Sequence, residues 1–183
     1  MVVLAYVTLS QASSFSTNAQ PTAFERWIAG AARSLTLSSA AKLANPVPDT
    51  PEAIAEGREH WADHCASCHA NNGSGDTELG KHLYPPAPDM RLPATQNKTD
   101  GELFFIIQNG IRMSGMPGWA TPGHEEDSWE LVRFIRHLPQ LTPQEELDMR
   151  KLNPKSPEDL EEEQKEQEFL NGGKADEPVH HHH

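Results

Sequence analysis

Residues 65–69 read Cys65-Ala66-Ser67-Cys68-His69. Two cysteines three positions apart, followed at once by histidine, are the spacing of covalent haem attachment. On the last turn of a helix Cys65 and Cys68 share one face and reach the two vinyl groups of one porphyrin edge. His69 can then swing its imidazole under the iron as proximal ligand. Three other readings compete. A thioredoxin-like redox pair needs a preceding strand, but Ile54, Gly57, Arg58, Trp61, Cys65 and Cys68 fall on one helical stripe. A zinc site needs two more ligands, and His64, Cys65, Cys68 and His69 are too adjacent for an unstrained tetrahedron. Two inert cysteines would leave the rest of the chain unexplained.

Working outward, Asp49 and Glu52 have capping-box spacing and Pro51 suits a first helical turn. Residues 70–98 read as irregular, with Gly73, Gly75, Gly80, Pro85, Pro86, Pro88 and Pro93. Thr99 with Glu102 starts a second helix carrying Leu103, Phe104, Ile106 and Ile107, with Gly110 as its C-cap. The loop IRMSGMPGWATPG separates it from a third helix over 125–138, ended by Pro139. There is no period-2 strand pattern and no internal repeat, so the fold class is all-α.

Composition agrees with a cofactor-filled core. Of 183 residues only 36% are hydrophobic and 7% aromatic, too few for a conventional core along the whole length. The net charge of −12 argues against nucleic-acid binding, which needs a basic surface. It falls unevenly: +2 over residues 1–48, −7 over 49–139 and −7 over 140–183. These segments are the expected organisation: an N-terminal segment (1–48), a central domain (49–139) and an acidic tail (140–183). A domain of about 90 residues is marginal without a staple or cofactor.

Iron bound by His69 calls for a sixth ligand, and a methionine thioether is the counterpart in electron-transfer haems. Met90, Met113 and Met116 are the candidates within the central domain. Met116 leads, because Gly115-Met116-Pro117-Gly118-Trp119 builds an irregular loop that can present a side chain inward, with Trp119 covering a haem edge. Met113 is the runner-up, and Met90 reads as packing. Trp61, Leu83, Tyr84, Leu103, Ile106, Ile107 and Trp119 are the expected haem-packing residues.

The order helix, CxxCH, glycine- and proline-rich loop, helix, Met-Pro loop, helix resembles a class I monohaem cytochrome c, over about residues 49–139. The style is that of bacterial membrane-associated cytochromes. The resemblance implies three main helices around one covalent haem c. It implies that Gly57 meets Trp129 or Phe134, and that the segment Pro85 to Pro88, with Pro86 against the cofactor, offers a carbonyl to His69. It implies a one-electron carrier rather than an enzyme, free or as a relay subunit of a membrane electron-transfer complex. If Met116 is not bound, the alternative is a five-coordinate haem protein that takes a gas or peroxide. Redox partners with basic docking surfaces suit the acidic charge. Covalent haem attachment in bacteria occurs outside the cytoplasm, so the expected place is the periplasmic side of a membrane, anchored or free.

The flanks depart from that pattern. MVVLAYVTL at residues 1–9 reads as the tail of a truncated signal-anchor or as a frayed terminus. Thr22 and Glu25 cap a short amphipathic helix with Phe24, Trp27, Ile28, Ala31 and Leu35 on one face. That face is expected to pack on the main domain, against a reading at a membrane surface through Arg26 and Arg33. Residues 36–48 read as a linker. Thr142-Pro143 with Glu145 and Ser156-Pro157 with Asp159 start helices in the tail. The charge run at 158–168 reads as a solvated helix or disorder, and His180–His183 as a tag remnant or a metal-binding tract.

Overall fold

A computed structural model describes residues 22–155 together with residues 161, 165 and 167. The chain divides into two compact units, one running through Leu152 and the other Asn153–His183. Every regular element among the described residues is helical.

In the first unit α1 spans Ala23–Leu37, opened by a complete capping box in which Thr22 accepts from the Glu25 N–H and the Glu25 carboxylate accepts from the Thr22 N–H. Helix α2 spans Pro51–His60. Its N-cap is Thr50, not Asp49: the Thr50 hydroxyl accepts from the Ala53 N–H, because Pro51 occupies the first helical turn. A π-helical turn, Trp61–Cys65, carries the chain into α3, Ala66–His69. The region read as irregular holds two short helices, α4 (Glu78–His82) and α5 (Pro93–Gln96). Helix α6, Asp100–Asn109, has the expected Thr99–Glu102 capping box and the Gly110 C-cap. Helix α7, Glu125–His137, ends just before Pro139 as expected, with the chain turning through a 3-10 turn, Leu138–Gln140. Helix α8, Pro143–Met149, starts on the Thr142–Glu145 capping box.

The packing centres on α2 against α7, with α6 also against α7. The backbones meet at Gly57, where an added Cβ would lie 2.1 Å from the Glu130 carbonyl oxygen. Gly57 therefore meets backbone at its closest approach, not the ring of Trp129 or Phe134. Around this crossing Trp61, Ala62, Leu131, Val132, Phe134, Ile135 and Leu138 are buried. The tilted rings of Trp61 and Phe134 meet at 5.6 Å between centroids.

Three expectations change. The unit extends past 139 to Leu152, because α8 seats Met149 in the core with no exposed surface. Residues 43–48 are a docked strap rather than a linker. Asn45 Nδ2 donates to the Trp129 carbonyl at 3.0 Å, Val47 is buried, and Arg133 Nε donates to the Val47 carbonyl at 2.9 Å. The apolar face of α1 does not pack on the domain: Phe24 and Trp27 are each 66% exposed and Leu35 79%, while Leu37 at its end and Ala40 in the 3-10 turn that follows, Ala40–Lys42, are buried. In the second unit Glu161, Lys165 and Gln167 are helical and exposed. The helix start at Ser156, the His tract and the opening nine residues lie outside the described residues.

Candidate functional site

The CxxCH segment is placed by two local devices. The first is the π turn, in which the Ala66 N–H bonds back to the Trp61 carbonyl, five residues earlier. One extra residue in the turn rotates Cys65–His69 out of the stripe that α2 would otherwise continue. The second is the exit from α3. Ala70 takes a positive φ of 60°, a conformation costly for a residue with a Cβ. It is held there by Trp61, whose indole N–H donates to the Ala70 carbonyl at 3.0 Å. The Trp61 and His69 rings lie 5.6 Å apart. Trp61 thus steers His69 through both its ring and the chain behind it.

The Met-Pro loop is folded back on the end of α6. Trp119 N–H donates to the Ile107 carbonyl at 2.9 Å, Ala120 N–H to Gln108 at 3.1 Å, and Ile111 N–H to the Met116 carbonyl at 3.1 Å. Gly110, at φ 66°, makes this possible, since a Cβ there would collide with the Met116–Gly118 backbone.

These two segments face one cleft, lined by Trp61, Cys65, His69, Met90, Leu103, Ile106, Ile107, Met116, Trp119, Leu131 and Ile135. Apart from Cys65 and His69 the lining is wholly apolar or thioether. Of the expected packing residues, Trp61, Leu103, Ile106, Ile107 and Trp119 are there. Leu83 instead packs on Gly115, and Tyr84 faces Glu25 of α1; burial, then the Glu25 carboxylate, raises its phenol pKa. Pro86 is exposed and outside the lining. Cys68 also lies outside it. It is half-buried where α3 meets α4, and its carbonyl accepts from the Thr77 hydroxyl at 3.2 Å. Met90 lines the cleft as a packing residue, as expected, whereas Leu131 and Ile135 are lining residues that the sequence did not single out. The two from α7 were hidden because that helix is apolar on more than one face.

The methionines separate clearly. Met113 is 91% exposed at a φ of 62°, so it points away from the site. Met90 reaches the cleft, but its sulfur accepts from the buried Thr95 hydroxyl at 3.7 Å. Met116 reaches the cleft with no hydrogen bond to its sulfur in the structure.

The electrostatics suit a metal-binding imidazole beside a protonated Cys65 thiol. Burial lowers the His69 pKa, partly opposed by the Pro88 carbonyl, so the imidazole is neutral at pH 7, the form that binds metals. Its buried Nδ1 completes no hydrogen bond of normal geometry, even though the Pro88 carbonyl faces it. Burial, and then the neighbouring Cys68, pushes the Cys65 thiol up to about 12. An apolar cleft, a neutral imidazole, a thioether and a thiol within thioether-forming sequence spacing make a donor set that fits haem c. His64, whose ring lies 5.1 Å from that of the 37%-exposed Trp119, marks the rim.

Residues 52–135 match the family described as cytochrome c oxidase, cbb3-type, subunit III. The chain is 30% identical over 92 residues to the cbb3-type cytochrome c oxidase subunit FixP of Rhizobium meliloti (strain 1021), an overlap of 50% of this chain and 29% of that protein. It is 32% identical over 92 residues to subunit FixPc of Rhizobium leguminosarum bv. viciae, covering 50% and 30% of the two chains. FixP of Sinorhizobium medicae (strain WSM419) is 30% identical over a stretch of the same length. The chain spans less than a third of the length of these relatives.

Proposed function

Because residues 52–135 match the cbb3-type cytochrome c oxidase subunit III family, we propose that this chain is a one-electron carrier with a single haem c attached through Cys65 and Cys68, its iron ligated by His69 and Met116. The observation that carries the reading is the convergence of His69, at the end of α3, and Met116, in a loop nearly fifty residues later, on one apolar cleft that also holds Cys65. When bound, the haem supplies a single exchangeable electron at its iron.

The protein's own residues define how that electron is held. His69 and Met116 would together hold the iron and leave no ligand position for a substrate, so the domain would serve as a carrier rather than a catalyst. A Met116 thioether on the iron would favour the reduced state and raise the potential. Trp61, Leu103, Ile106, Ile107, Leu131 and Ile135 exclude water, which lowers the local dielectric and steadies that potential. Trp119 and His64 sit at the partly exposed rim, where a redox partner can approach.

The similarity to FixP subunits supports a relay role within a membrane electron-transfer complex, on the extracytoplasmic side where covalent haem attachment takes place. No helix among the described residues is long and apolar enough to cross a membrane. The net −7 over residues 49–139 would steer a basic partner surface and make the encounter slow down with added salt.

The test is the optical spectrum of the oxidised protein alongside its intact mass. The mass should exceed that of the polypeptide by one haem. A weak long-wavelength band from sulfur-to-iron ligation should vanish in Met116→Ala and persist in Met113→Ala. A high-spin spectrum that shifts when carbon monoxide meets the reduced protein would replace the carrier reading with a five-coordinate, ligand-binding one.

A further inference from the structure

Outside the haem cleft, one group of metal-ligating side chains converges among the described residues. His60 closes α2, and Asp127 and Glu130 lie one turn apart on α7. Their ligand atoms all fall within 4.8 Å of one another. The cause is the helix crossing. Gly57 brings the α2 backbone onto Glu130, so the next turn of α2 sets His60 beside the preceding turn of α7.

The His60–Asp127 spacing is too long for a tight ion pair and matches two ligands on one cation. His60 Nε2 stands 3.9 Å from Asp127 Oδ1, and His124 Nδ1 stands 3.7 Å from Asp127 Oδ2. Neither is a hydrogen bond. Ligands bound at about 2.0–2.2 Å around one tetrahedral ion lie between three and four ångströms apart. The site is half-buried and surplus in negative charge. Glu126 and Glu56 add further negative charge around Glu130 and Asp127. A cation would relieve that crowding.

We infer that His60, Asp127 and Glu130 form a binding site for a divalent transition cation of the zinc class, separate from the haem iron. One imidazole with two carboxylates is a donor set that zinc and copper(II) accept, whereas calcium and magnesium take oxygen ligands. Three protein ligands leave a fourth position for water or for His124 after a small rotation. The site pins α2 to α7 at the crossing that supports the Trp61, Leu131 and Ile135 walls of the cleft, and it does not depend on the haem reading.

The test uses the haem-loaded full chain with His180–His183 replaced by alanine, which removes the competing terminal tract. Zinc titrated by calorimetry should bind one equivalent and raise the thermal midpoint. His60→Ala and Glu130→Gln should each weaken binding by at least about tenfold while leaving the helical circular dichroism unchanged. X-ray absorption of the zinc-loaded parent should show nitrogen and oxygen ligation only. Absence of one-equivalent binding, unchanged affinity in both variants, or sulfur in the zinc shell would overturn the inference.

Discussion

Gly57 on α2 lies against the Glu130 carbonyl of α7 so closely that no side chain fits between them: an added Cβ would stand 2.1 Å from that oxygen and 3.0 Å from the Leu131 nitrogen. Both obstacles are backbone and cannot rotate aside. Gly57→Ala must therefore push the helices apart, loosening the contacts of Trp61, Val132 and Phe134. The expected cost is about 1–3 kcal/mol, read from chemical denaturation of the haem-loaded protein. Gly30→Ala in α1 is the control. Nothing lies within 4 Å of a Cβ there, and replacing a mid-helix glycine should be neutral or stabilising by up to about 1 kcal/mol. Equal effects at the two sites would contradict the close crossing.

What was legible in the sequence is what local chemistry decides. Thr22–Glu25, Thr99–Glu102 and Thr142–Glu145 each form the capping box their spacing announces, because those bonds close within four residues. The CxxCH segment and the Met116 loop are likewise recognisable by short local spacing, and the structure brings His69 and Met116 to one cleft. The Asp49 cap failed by one residue, since two good capping types stand side by side and only the placement of Pro51 separates them. Features made by distant contacts were not legible. Val47 looks like linker until Arg133, 86 positions on, binds its carbonyl. The α1 stripe looks like a packing face, yet periodicity says only that a face exists, not what covers it. The π turn is invisible because Trp61–Cys65 has an ordinary helical composition.

Met90 tests the division of labour among the methionines. Its sulfur is engaged by Thr95, and its amide and carbonyl are tied to Gly73 (2.7 Å) and Gln96 (2.7 Å). Met90→Leu should keep the long-wavelength sulfur–iron band, because Met116 remains, and should cost less than about 1.5 kcal/mol as a volume-conserving change. Loss of the band in Met90→Leu would transfer the ligand assignment from Met116 to Met90.

The strap at 43–48 should carry measurable stability. Asn45 uses both ends of its amide, donating to the Trp129 carbonyl and accepting the Val47 N–H at 2.9 Å. Asn45→Ala removes both bonds and leaves the Trp129 carbonyl short of a partner. The expected loss is about 1–3 kcal/mol, with faster proteolysis between Leu43 and Asp49 as the local sign. An unchanged denaturation midpoint would mean that the strap is dispensable.

Acid should release α8 before the rest of the first unit. Glu145 closes that helix's capping box and its Oε1 lies 2.8 Å from His137 Nε2 on α7. Burial pushes the Glu145 pKa up, but the Thr142 N–H and hydroxyl and the His137 ring outweigh it, so the folded-state value is lowered. A carboxyl whose folded pKa is depressed contributes stability that is complete above its unfolded pKa and disappears as pH falls through the folded one. The loss therefore begins near the ordinary glutamate value of about 4.3 and grows below it. Glu145→Gln keeps the shape but cannot titrate, so stability against denaturant should fall less steeply between about pH 5 and pH 3 than in the parent. Since Met149 on α8 is wholly buried, hydrogen exchange in that helix should rise first in the parent at low pH. Parallel acid profiles for the two proteins would show that the Glu145 contacts add no pH-dependent stability.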